Sequence, residues 1–535
     1  IHTLPTKKLI LMFKDHPKGL IPAALSNMGE RFGYYIMNAV LVLFLCSKFG
    51  LSDEASAIIY SVFYCGIYVL SLVGGIIADR TQNYKAVIRS GLIVMATGYI
   101  ILSIPILSTQ GNIGWLLPLT CFALLLIAFG NGLFKGNLQA IVGQMYDNFE
   151  AEALAQGPEA YRRVQGKRDS GFQIFYVFIN VGGLIAPFVA PLLREWWLNT
   201  HGLIYNAALP AACHQYILEG ASMVGDPMNN LLGLIGKVGG TVDANSPDSI
   251  RAFCESYLDI FNTGIHYSFI ASVAAMLISL IIFMVNQKIF PVPAKKEKQV
   301  VEDYTPEERA EMAGEIKRRM YALFAVLGIV IFFWLSFHQN GQSLSLFARD
   351  FVQTDNLAPE IWQAVNPFFV ITLTPIVMLI FGALSKRGRE ISTPRKIAIG
   401  MGIAGLAFLF LAIFSFMQGY PSGADFKDMS DAKQSAIKAG PWVLIVLYFF
   451  LTVAELFISP LGLSFVSKVA PKHLQGLCQG LWLGATAIGN LFLWIGPLMY
   501  NKMPIWQCWT VFLTICLISM FVMLGMLKWL EKIAK

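Results

Sequence analysis

The stretch "NMGERFGYYIMNAVLVLFL", residues 27–45, puts two ionised groups, Glu30 and Arg31, at the head of an apolar and aromatic run that carries no further charge until Lys48. About 20 apolar residues cross the hydrocarbon core of a bilayer, so the run is long enough to span it. Ionisable groups inside a span are costly and normally face a cavity or a partner rather than lipid. Two readings follow. Glu30 and Arg31 are a structural pair that locks helices together, or they line a solvated path.

The rest of the chain agrees with a membrane setting. Of 535 residues, 56% are hydrophobic and only 14% charged, and the mean hydropathy is +0.59. A soluble globular protein carries about 25% charged residues, so this chain has too few to coat a soluble surface of its size. The net charge of +7 then reports orientation in the lipid bilayer, and no nucleic-acid partner is expected. The apolar run after the basic segment 1–18 is too long for a signal-peptide core and is expected to remain as a first span.

Runs of sufficient length predict twelve spans, at roughly 20–47, 55–78, 86–106, 113–141, 169–193, 265–287, 319–346, 360–385, 395–417, 441–468, 475–500 and 505–530. With the N-terminus inside, Lys and Arg in the inner segments outnumber those in the outer loops by roughly three to one, which places both termini in the cytoplasm. The expected fold is an all-α membrane protein of two six-helix halves, 1–193 with 265–287, and 319–535. A loop insertion, 194–264, lies outside between spans five and six. A cytoplasmic linker, 288–318, joins the halves and carries an amphipathic helix whose start, "TPEE", has a cap residue and proline in the first turn. Twelve spans in two sets suggest a secondary transporter, whose substrate site would lie near the midplane between the halves.

The eight cysteines include no CxxC. Cys213 and Cys254 share the outer loop, where a disulfide is permitted, and only geometry decides whether one forms. The other six sit in apolar segments as small helix side chains.

Positions three and four apart share a helix face, so Asn27, Glu30, Arg31, Tyr34, Tyr35 and Asn38 form one polar stripe. "GNGLFKGN", 130–137, sets Lys135 in a span, where it needs a carboxylate or a bound anion. "VAELFISPLGLSFV" sets Glu455 alone in apolar sequence. Charges of both signs thus come from different helices and both halves. A zwitterion with separated charges would fit between Arg31 and Lys135 on one side and Glu455 on the other.

"GGIIADR", 74–80, resembles the loop motif of the major facilitator superfamily, with Gly74, Asp79 and Arg80 in matching places. "ERFGYY" (30–35), "FYVFINVGG" (175–183), "FFWLSFHQNGQS" (332–343), "VNPFF" (365–369), "ELFISPLGLSFVSKVAP" (455–471) and "GLWLGATAIGN" (480–490) together resemble the proton-dependent oligopeptide transporter (POT) family. The resemblance covers nearly the whole chain except 194–264. It implies proton-driven uptake of di- and tripeptides by alternating access. Arg31 and Lys135 would face the peptide carboxylate and Glu455 its amino terminus. Tyr34, Tyr35, Tyr68, Asn180 and Asn366 would bond its backbone, and Trp334 and Trp482 would shape the site. Each polar group taken alone could equally be a helix-packing contact.

The sequence departs from the family pattern at coupling positions. Asn27 and Asn38 stand where a glutamate and an arginine are usual, His338 where a glutamate is frequent, and Gly136 where proline is common. The expectation is therefore that Glu30, Glu455 and His338 share the proton traffic, with Lys135 switching between a carboxylate and the substrate. A histidine titrates near neutrality and suits such a step, but a neutral histidine held in the core fits as well. Residues 288–318 are too polar for the extra helix pair of many bacterial members.

Another small zwitterionic or anionic solute, a facilitator without coupling, and a sensor or scaffold that no longer transports are the alternatives. An enzyme is not expected, since HExxH, GxxxxGK[ST] and GxSxG are absent, and no cofactor is expected. The assigned outer loops carry no N-x-[ST], which points to a bacterial inner membrane. A monomer is usual for the superfamily.

Overall fold

The computed structural model describes residues 16–109, 111–164, 167–291, 306–353, 358–387, 391–469 and 475–534. Among the described residues, twelve helices are long and apolar enough to cross a membrane. They are α1 Leu20–Phe49, α2 Asp53–Thr81, α3 Tyr84–Ser103, α4 Ile113–Gln156, α5 Lys167–Thr200 and α6 Pro247–Asn286 in the first half. In the second half, α7 runs Pro306–Phe337, breaks, and resumes as Ser343–Phe351. It is followed by α8 Val365–Lys386, α9 Thr393–Met417 and α10 Trp442–Val469. Last come α11, Gln475–Leu491 resuming as Ile495–Lys502, and α12 Ile505–Gly525. Among the described residues, extended pairing is limited to one bridge, Val352 with Ala439.

Within the first half, α2 and α3 pack along α4, while α1 packs along α5 and α6. Glycines make the α2–α4 contact possible. A Cβ at Gly74 would collide with the Gly132 carbonyl, and one at Gly132 with the Leu70 carbonyl. Gly74 of the superfamily-like motif thus has a steric role. In the same motif, Asp79 accepts from the Tyr84 hydroxyl across the α2–α3 turn, where Gln82 adopts φ 53° and donates its N–H to Ala78 O at 2.8 Å. Arg80 is exposed. In the second half, α9 packs on α10 and α12, α7 on α11 and α12, and α8 on α10. The halves meet through α2 with α11 and α5 with α8.

Three features differ from the sequence reading, and one more, the state of Cys213 and Cys254, is a point that the sequence leaves open. The region 194–264 is less of a loop than expected, because α5 runs on to Thr200 and α6 starts at Pro247. Ser246 caps Ser249 N, with Pro247 at the first helical position, so the helix begins well above the apolar segment. The remaining insertion, 201–246, carries helices Leu209–Glu219 and Asp226–Lys237. Second, the helix that begins at Pro306 continues into α7 without interruption; the linker residues 292–305 lie outside the described residues. Cys213 and Cys254 are buried and close enough to hydrogen-bond, but both are free thiols. Finally, Lys48, Arg194 and Arg349, assigned to outer loops, are buried at span ends.

Candidate functional site

The polar stripe of α1 faces the interior. Arg31 donates from Nε to Glu30 Oε2 at 2.5 Å and from Nη2 to Oε1 at 2.7 Å, with both side chains buried. Asn131 of α4 donates to the same Oε1 at 2.6 Å. Glu30 is therefore spent on its neighbour and on α4, which satisfies the helix-locking reading for Glu30 while Arg31 still lies 4.6 Å over the Tyr34 ring. Sequence reasoning missed Asn131, although it sits one helical turn before Lys135 on the same face.

Lys135 has no carboxylate partner among the described residues; its ammonium lies 4.9 Å over the Tyr68 ring. A line of tyrosines climbs α2, with centroids of Tyr60 and Tyr64 5.5 Å apart and of Tyr64 and Tyr68 5.8 Å apart. Tyr34 and Tyr60 donate to Asn38 Oδ1 at 3.4 and 2.8 Å, and Asn38 Nδ2 donates to Gln363 of the second half at 3.3 Å. Asn27 Nδ2 is buried with no partner.

From the second half, Asn366 donates to Thr452 Oγ1 at 3.0 Å and to Glu455 Oε2 at 2.9 Å. Glu455 has no cationic partner among the described residues. Tyr35 and Tyr68 lie within electrostatic reach of both Arg31 and Glu455, so opposite charges from the two halves act on the same pair of tyrosines. Asn180 is turned away from its expected role: it donates to Tyr176 O on its own helix at 3.0 Å. Trp334 stacks on His338, centroids 4.7 Å apart, and Trp482 packs against Gly462 of α10. His338 is buried, with Nδ1 2.5 Å from Asn490 Oδ1.

A second cluster seals one end of the molecule, the end that carries the 201–246 insertion. Asp53 at the start of α2 accepts from Arg349 Nη1 and Nη2, each at 3.3 Å, and from Lys427 Nζ at 2.5 Å. Arg349 also holds Asp350 at 2.7 and 2.9 Å, and the Tyr500 hydroxyl donates to Asp350 at 2.9 Å. Nearby, Arg194 of α5 pairs with Glu360 just before α8 at 2.6 Å, its guanidinium 4.2 Å over the Tyr205 ring. Three of these pairs, Asp53 with Arg349, Asp53 with Lys427 and Arg194 with Glu360, tie first half to second half. No ion pair between described side chains does so at the opposite end. None of the cluster was singled out in the sequence, because these charges sit at span ends and count there as loop charges.

The sequence profile of the POT family matches residues 85–305 and 295–505. The chain belongs to the POT family. Among its relatives is dipeptide and tripeptide permease B of Xenorhabdus bovienii, 27% identical over 491 residues, covering 89% of this chain and 86% of the relative. The peptide transporter YePEPT of Yersinia enterocolitica is 28% identical over 510 residues, covering 90% and 87%. Solved POT structures share the fold: a peptide transporter in complex with alafosfalin aligns with a TM-score of 0.68 at 21% identity over 99% of both chains. A POT family transporter in complex with 5-aminolevulinic acid aligns at 0.68 and 19% identity over 98% of both. The fold is thus that of the major facilitator superfamily, in a multi-pass membrane protein.

Proposed function

We propose that this POT family member is a secondary transporter that takes up di- and tripeptides by alternating access. One observation carries the reading: Tyr35 and Tyr68 lie within electrostatic reach of both Arg31 of the first half and Glu455 of the second. A peptide bound there meets cations at its carboxylate and an anion at its ammonium. Lys135, which has only a ring face for company, takes the carboxylate with Arg31. Glu455, held by Asn366, takes the amino terminus. The tyrosines and Asn366 supply neutral hydrogen bonds along the backbone, and Trp334 and Trp482 wall the side-chain space. Asn180 joins them through Oδ1 and its second N–H, since its bond to Tyr176 O uses one donor.

The Lys and Arg bias places the sealed, insertion-bearing end outside. The conformation is then closed outward, and release of the Asp53 and Arg194 clusters admits substrate. We assign the protein to a bacterial inner membrane, as a monomer with both termini cytoplasmic, and assign proton coupling to His338, Glu455, Lys135 and, when Arg31 turns to substrate, Glu30. The Cys213–Cys254 thiols would close to a disulfide under oxidising conditions.

Uptake of a labelled dipeptide by proteoliposomes tests this, with and without an inward proton gradient. Gradient-driven accumulation supports coupled transport. Equilibration without accumulation leaves a peptide facilitator, which the engagement of Glu30 by Arg31 and Asn131 would favour. Absence of uptake for every peptide tested overturns the reading.

A further inference from the structure

His338 sits on the 3₁₀ turn His338–Gly341 that breaks α7. Its ring lies between Trp334, stacked at 24° with centroids 4.7 Å apart, and Tyr64 of α2 at 4.8 Å. Nδ1 lies 2.5 Å from Oδ1 of Asn490, which is wholly buried in the last turn of the first segment of α11. This approach is built into the backbone. A Cβ at the neighbouring Gly489 would stand 2.6 Å from Ile331 O of α7, so α11 reaches α7 here only because residue 489 has no side chain. Asn490 turns Oδ1 toward the ring, and an amide oxygen can only accept, so in this arrangement Nδ1 carries the hydrogen.

We infer that Asn490 is a positioning residue for His338: it fixes the ring proton on Nδ1 and leaves Nε2 as the atom that gains and loses a proton. The inference rests on His338 belonging to the transport site. Around the ring, the neighbours from α7 (Trp334, Phe337) and α11 (Asn490) do not titrate, and α2 contributes Tyr64. The charge within electrostatic reach is Lys135 of α4. A proton on Nε2 and the Lys135 ammonium repel each other. A substrate carboxylate on Lys135 removes that conflict, because an opposite charge within about 4–6 Å favours the charged form and a like charge disfavours it. Asn490 thereby makes proton uptake at His338 answer to what Lys135 is holding.

Two measurements test it. The first is the ¹⁵N spectrum of histidine-labelled protein in lipid nanodiscs, with His338→Gln to assign the signal. The expected tautomer is Nδ1–H, becoming a mixture in Asn490→Leu. An Nε2–H tautomer in the unsubstituted protein, or no change in Asn490→Leu, overturns the proposal. The second is the pH profile of dipeptide counterflow. Asn490→Asp puts a carboxylate on Nδ1 and moves the profile toward alkaline pH by about one unit or more, and that shift vanishes in a His338→Gln background. A packing role alone changes protein yield or melting in both backgrounds and leaves the profile in place, which also overturns it. If no variant transports any peptide, the peptide reading fails while the tautomer measurement still decides the role of Asn490.

Discussion

The sealed end and the central site both contain ionised groups in apolar surroundings, yet they are satisfied to different degrees. At the sealed end Asp53 has Arg349 and Lys427, Arg349 has Asp350 as well, and Arg194 has Glu360. At the central site Lys135 rests on a ring face and Glu455 on the neutral amide of Asn366. Taking a charge out of water costs several kcal/mol, on the order that only a well-placed partner repays. The first region meets that cost within the protein. In the second, the Arg31–Glu30 pair meets it too, while Lys135 and Glu455 have no opposite charge at contact distance among the described residues. On the proposed function, those two groups find their counter-charges on the arriving molecule.

This contrast can be broken by substitution. The largest effect is expected for Arg194→Met, which strands Glu360 and should cost about 3–5 kcal/mol, read as a fall in melting temperature in detergent. Arg194→Met with Glu360→Met should recover most of it, and failure of that rescue would remove the ion-pair account. Next, Lys135→Met should reduce dipeptide kcat/KM by about tenfold to a hundredfold, the loss of one charge-assisted contact, while melting stays level or rises. A parallel fall in melting would make Lys135 structural and erase the contrast. Smaller again, His338→Ala should flatten the uptake profile between pH 5 and 8, and an unchanged profile would exclude the ring from coupling.

The smallest effect concerns the insertion. His214 donates from Nε2 to Ser47 O at 2.7 Å, and burial pushes its pKa down. The unfolded histidine therefore binds a proton first, so docking of Leu209–Glu219 is strongest above a pH of about 6.5 and weakens as pH falls below it. Protection factors against hydrogen exchange in that helix, taken relative to the intrinsic rate at each pH, should fall on acidification, and His214→Gln should remove the dependence.

The twelve spans were legible because each is a long apolar run, and the α1 stripe because period and polarity coincide on one helix. Asn131 was hidden for a different reason: asparagine in a glycine-rich span reads as packing until its partner on another helix is known. Asn180 shows the converse. A residue in a well-matched motif can give one of its donors to its own backbone, and sequence carries no sign of that. Arg194 and Arg349 were counted as solvated because hydropathy cannot separate a charge just beyond a span from one folded back between two.

The six helices of the first half each run unbroken among the described residues, whereas α7 breaks at His338–Gly341 and α11 just after Asn490. The two interruptions face each other: Gln339 of the first donates to Leu493 O of the second at 3.1 Å. Mechanically the halves are therefore unlike. One is a stiff frame, and the other contains a pair of opposed joints beside His338 and Asn490, so bending during a transport cycle should concentrate in α7 and α11 and leave α1 to α6 to move as a block.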